Sequence, residues 1–214
     1  MLIARRNALL GALSVSALGA ELLQPKSGLA QRITADPLSR DNVLRDPAIP
    51  AAGNIQGDIS IVEYFDYQCP YCKKVHPELS KVVNEDGNVR LVFKNWPIFG
   101  GISITAARLV MALQYQDKYA DAHEAIMTAA NRLTEQRLKE LVVQAGVDLD
   151  RAYADLEAHA GEIDAALKRN DDQARAFGFQ GTPAFIIGTF RIPMALDAAS
   201  FRQAISDARA AAKK

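Results

Sequence analysis

The hydrophobic pattern changes period several times along the chain. "ISIVEYF", residues 59–65, is an almost continuous β-branched and aromatic run, which predicts a buried strand. A helix is expected from residue 69 to about Asn84, and "NVRLVFKNW", 88–96, predicts a second strand. From Ser103 to about Phe177 apolar residues recur every three or four positions in five segments. These begin "AARLVMALQYQ", "YADAHEAIMTAA", "TEQRLKELVVQAG", "DLDRAYADLEAHA" and "EIDAALKRNDDQARAF", with Gly146 and Gly161 where helices are expected to end. "AFIIG" and "FRI" predict two short strands joined at Gly188-Thr189, and "DAASFRQAISDARAAAKK" a closing amphipathic helix. Residues 31–57 carry three prolines and two glycines without sustained periodicity. They predict an extended lead-in with one short helical turn near Arg40 to Leu44.

The order is therefore strand, helix, strand, a helical block, strand, strand, helix. A parallel strand-helix-strand unit with a right-handed crossover, closed by an antiparallel hairpin and a helix, is an α/β layout of thioredoxin type. The expected divisions are a leader over 1–30, a lead-in over 31–57, and a first half of the fold over 58–101. An inserted helical domain over 102–178 and a second half over 179–214 complete it.

The leader alters how the rest is read. "MLIARRN" is basic, "ALLGALSVSALGA" is weakly apolar, and Gly28-Leu29-Ala30 offers small residues for cleavage. This is the order of regions in a secretory signal peptide. The apolar run has 13 residues, short of the roughly 20 that span a bilayer. Arg5-Arg6 match the twin-arginine pattern only in part, so general secretion is the expected route and the periplasm the expected compartment. Removal of thirty residues leaves 22 basic and 24 acidic side chains, a net charge near −2. Such a balance, with no basic patch, argues against nucleic acid as a partner.

Export permits disulfides, and the chain has only two cysteines, in "YFDYQCPYCKKVHPEL", residues 64–79. As a staple, a four-residue loop contributes roughly 2 kcal/mol, against about 4.7 for a hundred residues; stability is a poor reason for this spacing. As a metal site, Cys69, Cys72 and His76 make three ligands where structural zinc takes four. Two soft sulfurs still suit Cu(I), so a copper-binding protein is the alternative reading. His76 is otherwise expected to face solvent, and His123 and His159 have no paired ligand near them in sequence. The third reading is exchange. Cys69 follows a strand and starts a helix, with Pro70 in the first turn. Unpaired N–H groups and the positive end of the dipole favour an anion there. An ordinary thiol is only about 3% ionised at pH 7, whereas this spacing can make thiolate the major form. A stable thiolate leaves well, which makes the disulfide a better oxidant. Cys72, one turn on, is placed to attack a mixed disulfide formed by Cys69. Exchange explains the spacing best, with no bound cofactor and no metal.

"VEYFDYQCPYCKKVHPEL", "VRLVFKNWPIFG" and "GTPAFIIG", in that order, resemble the DsbA-like thiol-disulfide oxidoreductases of the bacterial cell envelope. Within them the chain is most similar to the branch containing the suppressor of copper sensitivity protein C. The resemblance covers nearly all of residues 44–210. It implies a thioredoxin fold with an inserted helical domain, Cys69 as nucleophile, Cys72 as resolving thiol, and Pro70-Tyr71 tuning the potential. It also implies a cis bond between Thr182 and Pro183, in a loop that faces Cys69 and binds substrate backbone. Glu63, a carboxylate inside a strand covered on both faces, should have a raised pKa. The resemblance makes it an acid that exchanges protons with Cys72, and Lys94 is its candidate charged partner. Tyr67, Trp96 and Phe99 are packing residues or the lining of an apolar surface around the cysteines, with Lys73 and Lys74 adding positive potential. The implied partners are unfolded or misfolded cysteine-containing envelope proteins and a membrane redox protein. A lead-in interrupted by Pro37, Pro47 and Pro50 leaves no room for an oligomerising stalk, so a monomer is expected.

Overall fold

A computed structural model describes residues 36–130 and 132–213; the expected leader lies outside them. Five strands form one mixed sheet in the order β1-β3-β2-β4-β5. They are β1 Ala51–Gly53, β2 Ile59–Phe65, β3 Val89–Asn95, β4 Ala184–Ile187 and β5 Phe190–Ile192. β2 and β3 are parallel and all other pairings antiparallel. The parallel pair requires a crossover, which helix α2, Pro70–Asp86, supplies. Every residue of β2 and β3 is buried. Both faces of these strands are covered, which is why their sequences run apolar without alternating. The fold is thioredoxin-like, with the helical block between β3 and β4.

Register sorts the side chains of the central strands onto two faces. Glu63 lies beside Phe93 and Phe185, and Tyr64 beside Lys94 and Ala184. The first face packs against α2 and the last helix, α8 (Ala198–Ala212), where Phe185 meets Phe201 edge to face at 5.2 Å. The second face receives α1 (Arg40–Leu44) and α7 (Ala160–Ala176), with Tyr64 donating to Gln173 at 3.1 Å.

The helical block comprises α3 Gly101–Ala112, a 3-10 turn Leu113–Gln116, α4 Tyr119–Met127, α5 Glu135–Gln144, α6 Leu149–Ala158 and α7. Thr134, Asp148 and Asp197 cap α5, α6 and α8 with side-chain oxygens, satisfying N–H groups that no helix satisfies internally. The block packs with the sheet as part of one compact unit.

Three local expectations need correction. α2 runs to Asp86, two residues past Asn84, and stops at Gly87, whose left-handed φ of 68° suits a residue without a Cβ. Gly146 does follow α5 with φ 79°, but Gly161 lies in the first turn of α7, and the break falls at His159. That turn's N–H groups lack intrahelical partners, so a glycine there does not end the helix. The lead-in, expected to be extended apart from α1, also holds β1, which pairs with the edge of β3. Three small residues carry no period of their own; the strand exists through its partner.

Candidate active site

The site is built where β2 ends. Asp66, buried in the turn after the strand, accepts from the Gln68 N–H at 2.7 Å and the Ser103 hydroxyl at 2.7 Å. Its second oxygen accepts from the Phe99 N–H at 3.1 Å. One carboxylate thus ties the turn to the start of α3. Cys69 follows as the N-cap of α2, in extended conformation, with Pro70 opening the helix. Its sulfur accepts from the Cys72 N–H at 3.4 Å. In the thiol form it donates to the Thr182 carbonyl at 3.2 Å. The Thr182–Pro183 bond is cis. The resemblance had placed these two segments together, and the structure brings them to one point.

Both cysteines are free thiols, and their environments separate them. A hydrogen bond from Cys72 lowers the Cys69 pKa to about 6, assisted by Thr182 and the N–H groups of Cys72 and Tyr71, against partial burial. Burial pushes the Cys72 thiol far up, and the same hydrogen bond together with the charges of Glu63 and Cys69 adds to it. At neutral pH the first is thiolate and the second thiol.

Glu63 lies beneath them, fully buried, with neither oxygen hydrogen-bonded. Burial, then the Cys69 charge, raises its pKa to about 8. Lys94 does not meet it. Neighbouring residues on a strand point to opposite faces, and Lys94 shares Tyr64's face, not Glu63's. Its ammonium donates to the Asn42 carbonyl at 3.1 Å, and burial, aided by the Arg169 charge and opposed by that of Asp46, lowers its pKa to about 8. Lys94 holds the lead-in against the sheet.

Of Tyr67, Trp96 and Phe99 only Phe99 is exposed, as is Tyr71 between the cysteines. Tyr67 is buried, and Trp96 is buried with its indole donating to Asp171 at 2.8 Å. A cleft of about 450 Å³ next to Cys69 is lined by Gln68, Pro70, Lys73, Phe99, Ala130 and Arg132. Lys73 donates to the Ala129 carbonyl at 2.9 Å across its wall. His76 is not solvent-facing: it is 3% exposed and its Nε2 lies 2.6 Å from Glu124. That carboxylate is the partner of the nitrogen. Among the described residues no cluster of three metal-ligating side chains occurs. Sequence reasoning missed Asp66, although it had a signal, an aspartate two residues before a turn N–H.

A helix-capping thiolate facing a cis-proline loop, above a buried thiol and carboxyl, defines a dithiol protein of the thioredoxin superfamily. The DSBA-like thioredoxin domain matches residues 60–206, and the chain belongs to that family. Its structure is similar to a thioredoxin-like oxidoreductase from Silicibacter pomeroyi DSS-3, at 35% identity over 79% of this chain and 97% of that one, with a TM-score of 0.76. A periplasmic thioredoxin-like protein from Salmonella enterica serovar Typhimurium is 29% identical over 79% of this chain and 95% of its own, with a TM-score of 0.70. Proteus mirabilis ScsC in a compact conformation is 25% identical over 82% and 80%, with a TM-score of 0.70. The thiol:disulfide interchange protein DsbA of Bordetella parapertussis is 27% identical over 65% of this chain and 68% of its own length. The chain also matches the Na(+)/H(+) antiporter NhaA 1 of Mycobacterium sp. (strain KMS), at 25% identity over 76% of this chain, but spans only 28% of that protein.

Proposed function

We propose that this chain is an exported thiol-disulfide oxidoreductase that oxidises or reshuffles disulfides in envelope proteins. The observation that carries the reading is the placement of Cys69, a helix-capping sulfur with a pKa of about 6 facing the Thr182 carbonyl. Family membership supports exchange in general. The name of the Salmonella protein supports a periplasmic setting, and among the described residues no helix is long and apolar enough to cross a membrane.

In the oxidising direction a substrate thiolate attacks the Cys69 sulfur of the Cys69–Cys72 disulfide. That bond breaks, its electrons leave on Cys72, and Cys72 takes a proton from Glu63. A second substrate thiolate attacks the substrate sulfur of the mixed disulfide, and Cys69 leaves as thiolate. Two substrate thiols become a disulfide and the enzyme becomes a dithiol. In the reverse direction Cys72 loses its proton to Glu63 as it attacks the mixed disulfide. The Cys69 charge that raises the Glu63 pKa is gone at that stage, so the carboxyl ionises more readily when it is needed as a base. The Pro70-Tyr71 pair sets the poise of the couple. Substrate backbone docks along Thr182 and Pro183 as an added strand, with the Phe99 cleft taking its side chains. A membrane redox protein would restore the working oxidation state.

The test is recovery of activity from a protein with scrambled disulfides, using the reduced chain with Cys69→Ser as control. Recovery that the control lacks establishes an isomerase or reductase. Oxidation of a reduced substrate without recovery establishes an oxidant. In either case alkylation of Cys69 should follow a midpoint near pH 6. A chain that does neither would send the question back to Cu(I) binding by the two thiols.

A further inference from the structure

The exchange chemistry proposed above leaves a proton stranded. Cys72 and Glu63 are both 0% exposed, so a proton passed between them has no direct route to water, yet each catalytic cycle must export or import one. We propose that Tyr119, Tyr67, His123 and His76 form a proton relay connecting Glu63, and through it Cys72, to the surface at Glu124.

The file runs through side chains that the first face of the sheet brings together. Glu63 lies beside Phe93 in the sheet, and the Phe93 ring packs 5.7 Å from the Tyr119 ring and 4.4 Å from that of His123; from there the charge of Glu63 acts on both the Tyr67 and the Tyr119 hydroxyls. These lie close enough to influence one another's ionisation, and Asn95 holds the second by donating to it at 3.1 Å. The Tyr67 hydroxyl is 3.1 Å from His123 Nδ1. The rings of His123 and His76 pack edge to face at 5.1 Å. His76 Nε2 meets Glu124 at 2.6 Å, and Glu124 is 60% exposed. Two of the chain's three histidines therefore stand in one file between the buried acid and water.

The unpaired atoms fall where a conduit needs them. Buried polar atoms are almost always hydrogen-bonded, and exceptions call for a reason. Both Glu63 oxygens, His123 Nε2 and His76 Nδ1 are buried without a partner. The last two are the nitrogens left on the facing rings once Tyr67 and Glu124 have taken the others. A ring rotation that turns these two nitrogens towards each other passes a proton between them. An imidazole serves because it accepts on one nitrogen and releases from the other. Burial, then His76, holds His123 neutral well below its ordinary pKa, the form that relays. The titratable groups facing the file are Cys69, Cys72 and His76 from α2, Tyr67 from the turn before it, Glu63 from β2, and Tyr119, His123 and Glu124 from α4. No lysine or arginine contributes to the shift of Glu63 or of His123.

The test separates attack from resolution. Reduced full-length mature chain is mixed with a disulfide substrate, and the mixed disulfide is trapped with acid at intervals from pH 5 to 9, in water and in heavy water. Tyr67→Phe, which removes one oxygen and keeps the ring, and His76→Gln should slow resolution by about tenfold or more, with an enlarged solvent isotope effect. The rate of attack and the Cys69 titration should match the wild type. Folded variants that resolve at the wild-type rate across this range overturn the relay, as does equal slowing of both steps, which would mark a structural role. Should Tyr67→Phe fail to fold, His76→Gln and the surface variant Glu124→Gln decide by the same criteria. A wild-type chain that attacks no disulfide has a different defect: the exchange reading itself falls, and the relay with it.

Discussion

Glu63 and Lys94 are both buried ionisable groups with shifts of opposite sense, and single substitutions tell their roles apart. Burial raises the Glu63 pKa from an ordinary 4.5 to about 8 in the folded state. Between those values the folded state keeps a proton that the unfolded state has released, so stability falls as pH rises through that window. By pH 7 the loss is about 3 kcal/mol. Glu63→Gln cannot ionise and should escape it, so denaturation midpoints of variant and wild type should converge near pH 4 and separate towards pH 8. Parallel pH profiles would mean the carboxyl is not buried as described. Lys94→Met should exchange disulfides at the wild-type rate, because the ammonium stands on the opposite face from the thiols; a slow variant would return Lys94 to the site. The sequence announced Glu63, since a carboxylate in "ISIVEYF" is conspicuous. It could not place Lys94, because which face a residue of β3 takes depends on its register with β2.

At the scale of elements, the predicted strands and helices were legible wherever a period or a continuous apolar run is carried by the element's own residues. β2, β3 and the five helical segments qualify; β1 does not, because only its pairing with β3 makes it a strand. The cysteine pair and its helix start were legible for the same local reason. The platform beneath it was not, since Tyr119 and His123 come from α4 and meet Tyr67 across more than fifty residues. Asp66 shows how elements are bound at the site. It accepts three hydrogen bonds from the turn before α2 and from the start of α3. Asp66→Ala would leave those donors without their acceptor, at a cost of about 3 kcal/mol or more. Urea unfolding should show this, together with an upward drift of the Cys69 midpoint as the cap loosens. A variant of unchanged stability would mean that water replaces the carboxylate.

At the scale of the molecule, the lead-in from residue 36 onwards is folded onto the body rather than extended from it. The Pro37 carbonyl accepts from Gln173 at 2.8 Å, Asp46 takes the Arg169 guanidinium at 2.9 Å, and Lys94 holds the Asn42 carbonyl. A segment so docked is unavailable as a stalk, and sedimentation of the mature chain should give a single species of monomer mass; a trimer would require a stalk built from elsewhere. The two outer strands of the sheet have a further meaning. β1 and β5 are three residues each. A protein proposed to handle unfolded chains works among extended segments looking for a ladder to join, and a long bare edge would make it a seed for their aggregation. With both edges this brief, the sheet offers a stray client little purchase beyond the cis-proline loop, and the lasting attachment proposed for it is the covalent one at Cys69, which exchange itself undoes.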